Sequence, residues 1–242
     1  MSVFPAAVGR SVAQADVRAV YMPALRRRLE ETIEGEVRFD KVSKALYSTD
    51  ASVYQIMPLG VVVPKSSEDI RRTVQLCHEF RCSLTVRGGG TSQAGQAIGA
   101  GIQLDTSKYL NRVLEVSVED RWARVEPGIV LEELNTILRP HGVRFAPDIS
   151  TANRATVGGM IANNSSGARS VLYGKTIDHV LEQRVVLSDG SLAPPLDGIM
   201  RSSGQLAVTG TRRVMAQMKP VSSRAIAAVT TFAGLPVRAS LR

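Results

Sequence analysis

Cysteine is nearly absent. The chain has two, Cys77 and Cys82, with no second pair and no Cys/His set at zinc spacing. That leaves no basis for a disulfide framework or a zinc site, and the two read as buried or partly buried thiols at a helix end. Histidine is scarce as well: His78 falls on an expected helix and His141 in a helix-ending turn, and both read as structural. His179, near a polar cluster described below, reads the same way. No run of about 18 apolar residues exists. Residues Met1 to Arg10 lack a basic stretch followed by a long apolar core, so the expected location is the cytoplasm, or at most the periphery of a membrane. Acids are missing from the last part of the chain. After Asp197 there is no Asp or Glu, while Arg201, Arg212, Arg213, Lys219, Arg224, Arg238 and Arg242 contribute seven positive charges of the net +8. The preceding residues are therefore close to neutral, which argues against a basic nucleic-acid face.

Two familiar phosphate-binding signatures are also missing: no strand is followed by G-x-G-x-x-G or by G-x-x-x-x-G-K-[ST]. What stands instead is Arg87-Gly88-Gly89-Gly90-Thr91-Ser92-Gln93-Ala94-Gly95-Gln96, directly after the apolar run Leu84-Thr85-Val86. Consecutive glycines let backbone N–H groups converge on an anion with no side chain in the way, and Thr91 and Ser92 add hydroxyls. Taken alone, three glycines fit a turn between strands equally well.

A composition of 44% hydrophobic and 21% charged residues is that of a globular chain with a real core. Apolar residues at helical spacing from Asp16 to Glu34 predict an amphipathic helix whose Arg26 to Arg28 run is a solvated face. Gly60-Val61-Val62-Val63-Pro64 predicts a buried strand, and Ser66 with Glu68 and Asp69 predicts the capped start of a helix reaching about Arg81. Leu84 to Val86 is the next strand, so the β-α-β order implies a parallel pair with the glycine loop at its carboxyl end, where ligands of open α/β sheets lie. Further strands are expected at 102–105, 111–116, 122–126 and 181–187, and a helix over Val130 to Leu138. Beyond Gly198 no apolar period persists. The acid-free composition there suggests a truncated or out-of-frame stretch that orders poorly.

A second cluster accompanies the first: Pro147-Asp148, then Thr156-Val157-Gly158-Gly159-Met160-Ile161-Ala162-Asn163-Asn164-Ser165-Ser166-Gly167, closing with Tyr173-Gly174-Lys175-Thr176. Its turn and helix start promise free N–H donors in one place. Together the two clusters resemble the FAD-binding domain of the vanillyl-alcohol oxidase and p-cresol methylhydroxylase superfamily, and within it the FAD-linked D-2-hydroxyacid dehydrogenases of the D-lactate dehydrogenase and glycolate oxidase type.

The resemblance runs from about Tyr47 to Asp197 and implies an α+β fold of two α/β subdomains, about 58–105 and 106–197 of a FAD-binding domain at 47–197, with flavin between them; an N-terminal helical lead-in (1–46) precedes it, and the irregular basic tail (198–242) departs from the family. It implies cofactor contacts at Arg87, Gly88, Gly89, Gly90, Thr91, Ser92, Gln93, Gly95, Gln96, Pro147, Asp148, Thr156, Gly158, Gly159, Asn164, Ser165, Gly167, Tyr173 and Gly174. Arg87 either pairs within the domain or neutralises phosphate. Some superfamily members bond flavin to a His where Thr91 stands, so FAD is expected to be held non-covalently. The implied reaction is hydride transfer from a small 2-hydroxy acid such as D-lactate, glycolate or D-2-hydroxyglutarate. The catalytic base and substrate-binding Arg would come from a cap domain, and a partner chain carrying cap and iron–sulfur domains is implied. The alternative is a non-catalytic FAD-binding subunit or remnant. No catalytic residue is assigned.

Overall fold

The computed structural model of the chain describes residues 12–193 and 237–240. Helix α1 (Val12–Thr32) leads into strand β1 (Glu36–Arg38) and the short helix α2 (Lys41–Leu46). Strand β2 (Gly60–Val63) is buried throughout, as its unbroken valine run requires of a strand covered on both faces. Helix α3 (Ser67–Glu79) begins where the sequence signals it. The Ser66 hydroxyl accepts the Asp69 N–H at 3.1 Å, Glu68 and Asp69 face the positive end of the helix, and Ile70, Val74 and Cys77 form the buried face. Asp69 also accepts N–H groups of Glu34, Gly35 and Lys65 at 2.8 to 3.0 Å, which ties the turn after α1 and the segment after β2 to the start of α3.

Strand β3 (Leu84–Arg87) follows, then β4 (Ile102–Asp105), and the first sheet runs β1-β2-β4-β3. β2 and β3 are parallel, as the β-α-β order implies, but they are not neighbours: β4 lies between them and pairs parallel with both. The glycine loop therefore connects β3 to β4 and starts at the carboxyl end of β3. The segment before residue 47 contributes edge strand β1, antiparallel to β2, and the core side chains Leu25, Leu29 and Ile33.

The second sheet is antiparallel, in the order β5-β6-β8-β7, from β5 (Val113–Ser117), β6 (Trp122–Val125), β7 (Val180–Gln183) and β8 (Val237–Ser240). Helix α4 (Leu131–Leu138) and the six-residue α5 (Val157–Ala162) lay Leu131, Leu134, Leu138, Val157 and Met160 onto it around Phe145. Helix α6 (Ser170–Tyr173) is a single turn. After β7 the chain returns to the first core, where Val185 and Val186 pack.

Most of 198–242 lies outside the described residues. Within it, Val237–Ser240 corrects the expectation of an irregular tail, because it is an inner strand bonded to β6 on one side and β7 on the other. Its backbone groups complete both ladders, and Ala239 is fully buried. Neither cysteine is in a disulfide among the described residues; Cys77 is buried and Cys82 half-buried. Among the described residues no helix is long and apolar enough to cross a membrane.

Candidate functional site

The two glycine clusters meet. A β-carbon on Gly88 would lie 2.1 Å from the Thr156 hydroxyl, and one on Gly89 would lie 2.1 Å from the carbonyl oxygen of Arg154. These residues are glycine because backbone of one subdomain presses on the other. Gly90 alone of the three has positive φ, 66°, and its carbonyl accepts the Ala51 N–H at 3.0 Å. None of the N–H groups from Gly88 to Gln93 donates to another described residue, and the Thr91 hydroxyl is also without a partner among them. Ser92 differs: its oxygen accepts from the N–H groups of Ala94 and Gln96 and donates to Gln96 Oε1 at 2.9 Å, so it holds the turn instead of facing a ligand.

On the facing wall the expected free donors of the second cluster are already used. Val157 N–H donates to the Ile129 carbonyl at 2.9 Å, Gly158 N–H to Pro127 at 2.8 Å, and Gly159 N–H to the Thr156 hydroxyl at 3.3 Å. Between the walls is a cleft of about 380 Å³. Its donors come from the glycine loop, and the second cluster supplies a small, hydroxyl- and amide-bearing surface. Among the described residues every side chain lining the cleft is uncharged, and none is His, Cys, Tyr, Asp, Glu, Lys or Arg.

Of the sequence-predicted residues, Gly88, Gly89, Gly90, Thr91, Ser92, Gln93, Gln96, Thr156, Gly159, Asn164 and Ser165 line this cleft. The others lie off it. Arg87 spends its guanidinium inside the first subdomain, donating to the carbonyls of Thr49 (2.8 Å) and Ala97 (3.1 Å) and lying over the Tyr47 ring. Of the two roles left open for it, this is the internal one. Gly95 has a φ of 72° and packs on Tyr54, Pro147 is buried, and Gly158 is buried beneath the wall. Asp148 is paired with Arg169 at 2.7 Å, whose guanidinium holds its carboxyl below the usual range. Gly167 abuts the Asp148 carbonyl, Tyr173 lies under Arg144 and Arg169, and Gly174 turns at a φ of 81° against Asp178.

Sequence reasoning did not pick out Ile149, Ser150, Thr151, Met160, Asn163 and Ser166, which also line the cleft. Their one signal was proximity to the glycines. His179 is 2% exposed, donates from Nε2 to the Tyr173 carbonyl at 2.6 Å and meets Phe145 edge-on, as a core residue does. His78 and His141 are exposed on their own elements, away from the lining.

Comparison with known proteins agrees with this geometry. A family model described as FAD binding domain matches residues 58–193, more than half the chain. D-2-hydroxyglutarate dehydrogenase of Pseudomonas putida is 44% identical over 173 residues, which is 70% of this chain and 17% of that protein. Glycolate oxidase subunit GlcD of Bacillus subtilis is 33% identical over 180 residues, covering 72% of this chain and 37% of the relative. The chain thus spans only a minor part of the curated relatives it matches. Among solved structures, an alkyldihydroxyacetonephosphate synthase superposes with a TM-score of 0.71 at 20% identity, over 91% of this chain and 40% of the other. 6-Hydroxy-D-nicotine oxidase from Arthrobacter nicotinovorans gives 0.67 at 18% identity, over 86% and 42%. These two bear on the fold, which is the α+β one expected.

Proposed function

The chain belongs to the FAD-binding domain family, whose cofactor is FAD, and from that premise we propose that it is the flavin-holding portion of an oxidoreductase acting on a D-2-hydroxy acid of the D-lactate, glycolate or D-2-hydroxyglutarate class. The observation that carries the reading is the row from Gly88 to Gln93, which lines a cleft between the two clusters and whose N–H groups donate to no other described residue. Such a row suits a diphosphate, whose oxygens it can meet without a side chain intervening. Bound FAD supplies the hydride acceptor for oxidation of the hydroxy acid to the oxo acid, with a quinone, cytochrome or iron–sulfur centre taking the electrons onward.

The protein's own residues bind and orient. The loop N–H groups and Thr91 hold the diphosphate, while Thr156, Gly159, Asn164 and Ser165 shape the opposite wall. The described lining has no His, Cys or Tyr to bond flavin, which supports FAD held non-covalently. The similarity to D-2-hydroxyglutarate dehydrogenase and to GlcD supports the substrate class.

The uncharged lining favours one refinement. Among the described residues the cleft has no base or carboxylate-binding Arg, which supports a source for these groups outside it, such as a partner chain carrying cap and iron–sulfur domains. On its own the chain then acts as an FAD-binding subunit or remnant. We place it in the cytoplasm, or at the periphery of a membrane. The absorption spectrum of the purified protein tests the reading: a flavin band that leaves with the supernatant on acid precipitation supports it, and a colourless protein that takes up no added FAD refutes it.

A further inference from the structure

Arg87, the cation nearest the glycine loop in sequence, is occupied within its own subdomain. Among the described residues no side chain lining the cleft carries a charge. A diphosphate would therefore meet N–H dipoles but no counter-charge. Among the described residues, the cation whose own backbone packs on the donor row has no ion pair. Arg154 is exposed, has neither ion pair nor side-chain hydrogen bond among the described residues, and its backbone carbonyl packs on Gly89 at the centre of the donor row. By contrast Arg169 is bound to Asp148, and Arg144 lies over Tyr173 and reaches the Ala146 carbonyl.

We propose that Arg154, supplied by the second subdomain, provides the positive charge for a diphosphate seated on the Gly88–Gln93 N–H row. The inference rests on the flavin reading above. Arg154 belongs to the turn that contributes Ile149, Ser150, Thr151 and Ala155 to the cleft wall, so its long side chain starts beside the donor row. A guanidinium can offer two parallel N–H groups to phosphate oxygens, which an ammonium cannot, but most of the charge effect survives in Lys. Because the residue is exposed, its contribution is screened by salt. In the free protein it is solvated and costs nothing to keep.

The test is FAD affinity by flavin fluorescence for the full chain and its Arg154→Gln and Arg154→Lys variants, at about 0.05 M and about 0.5 M salt. Arg154→Gln is expected to bind FAD about ten-fold more weakly at low salt. Arg154→Lys should keep most of the affinity, and the gap between wild type and Arg154→Gln should close at high salt. Wild-type affinity in Arg154→Gln at both salts would overturn the assignment, as would an equal, salt-independent loss in both variants, which would mark a role in packing. If the wild-type protein itself binds no FAD, the flavin reading falls first and the Arg154 assignment with it.

Discussion

Gly89 approaches the second subdomain so closely that its conformational freedom is not the point: its φ is outside the left-handed region, and what forbids a side chain is the Arg154 carbonyl 2.1 Å from the β-carbon position. Backbone cannot rotate away as a side chain can, so Gly89→Ala should destabilise the apo-protein by on the order of 2 kcal/mol. Urea unfolding checks this, and an unchanged midpoint would mean the two walls separate readily. Gly88 is a softer case, since its obstacle is the Thr156 hydroxyl, and the same measurement should find Gly88→Ala partly rescued by Thr156→Ala. At the edge of the first sheet Glu36 accepts hydrogen bonds from the Lys108 ammonium, the Tyr109 hydroxyl and the Arg38 guanidinium, and these hold its pKa at about 2 against an ordinary 4.5. A depressed folded-state pKa gives stability that is complete above the unfolded value and lost as pH falls through the folded one. Wild type should therefore lose stability between about pH 4.5 and about pH 2, and Glu36→Gln should flatten part of that slope. Parallel acid profiles for the two proteins would assign the slope to other carboxylates, Glu68 with its Arg71 and Arg72 partners first among them.

At the level of elements, β8 joins two parts of the chain that share no local pattern: Ser240 pairs with Trp122, and β7 has no partner in the sheet apart from β8. Removing residues from 237 onward should leave both ladders open and lower the unfolding midpoint. Ala239→Asp, which places an unpaired charge at a fully buried position, should cost about 3 kcal/mol or more. Thermal unfolding matching wild type in either variant would show the strand to be dispensable. This strand also marks where the sequence stops being readable. α3 was legible because Ser66, Glu68 and Asp69 act within one turn, and β2 because an unbroken valine run closed by Pro64 has few other fates. The donor row was legible for a similar reason, since consecutive glycines leave N–H groups uncovered. A four-residue strand such as β8 has no period of its own, and its place is set by partners far off in the chain, β6 more than a hundred residues away and β7 more than fifty. The insertion of β4 between β2 and β3 is likewise a choice among pairings that local order does not encode. The second cluster looked like a source of donors because helix starts have them, but whether those N–H groups remain free depends on the carbonyls of Pro127 and Ile129, which only the folded chain brings near. Arg87 had two roles compatible with its length, and the positions of Thr49, Ala97 and Tyr47 decided between them.

For the whole molecule, the cleft separates holding a cofactor from using one. Oxidation of a 2-hydroxy acid needs its α-carbon held against the flavin, its carboxylate clamped and its hydroxyl within reach of a base, and loss of that arrangement costs orders of magnitude in rate. Among the described residues none at the cleft supplies such a base or clamp: the lining has no titratable side chain, and His179 is buried against Phe145 with Nε2 committed to the Tyr173 carbonyl. The FAD-loaded chain alone should therefore turn over D-lactate, glycolate or D-2-hydroxyglutarate with an artificial electron acceptor at or near background. His179→Ala should act on folding, lowering the unfolding midpoint by opening a cavity in the second core. If a partner polypeptide supplies the base and carboxylate clamp as proposed, its addition should raise turnover without tightening FAD binding to the same degree. Rapid turnover by the isolated chain, abolished in a His179→Ala protein that still folds and binds FAD, would show that His179 leaves the core to reach substrate and that the cleft is a complete active site.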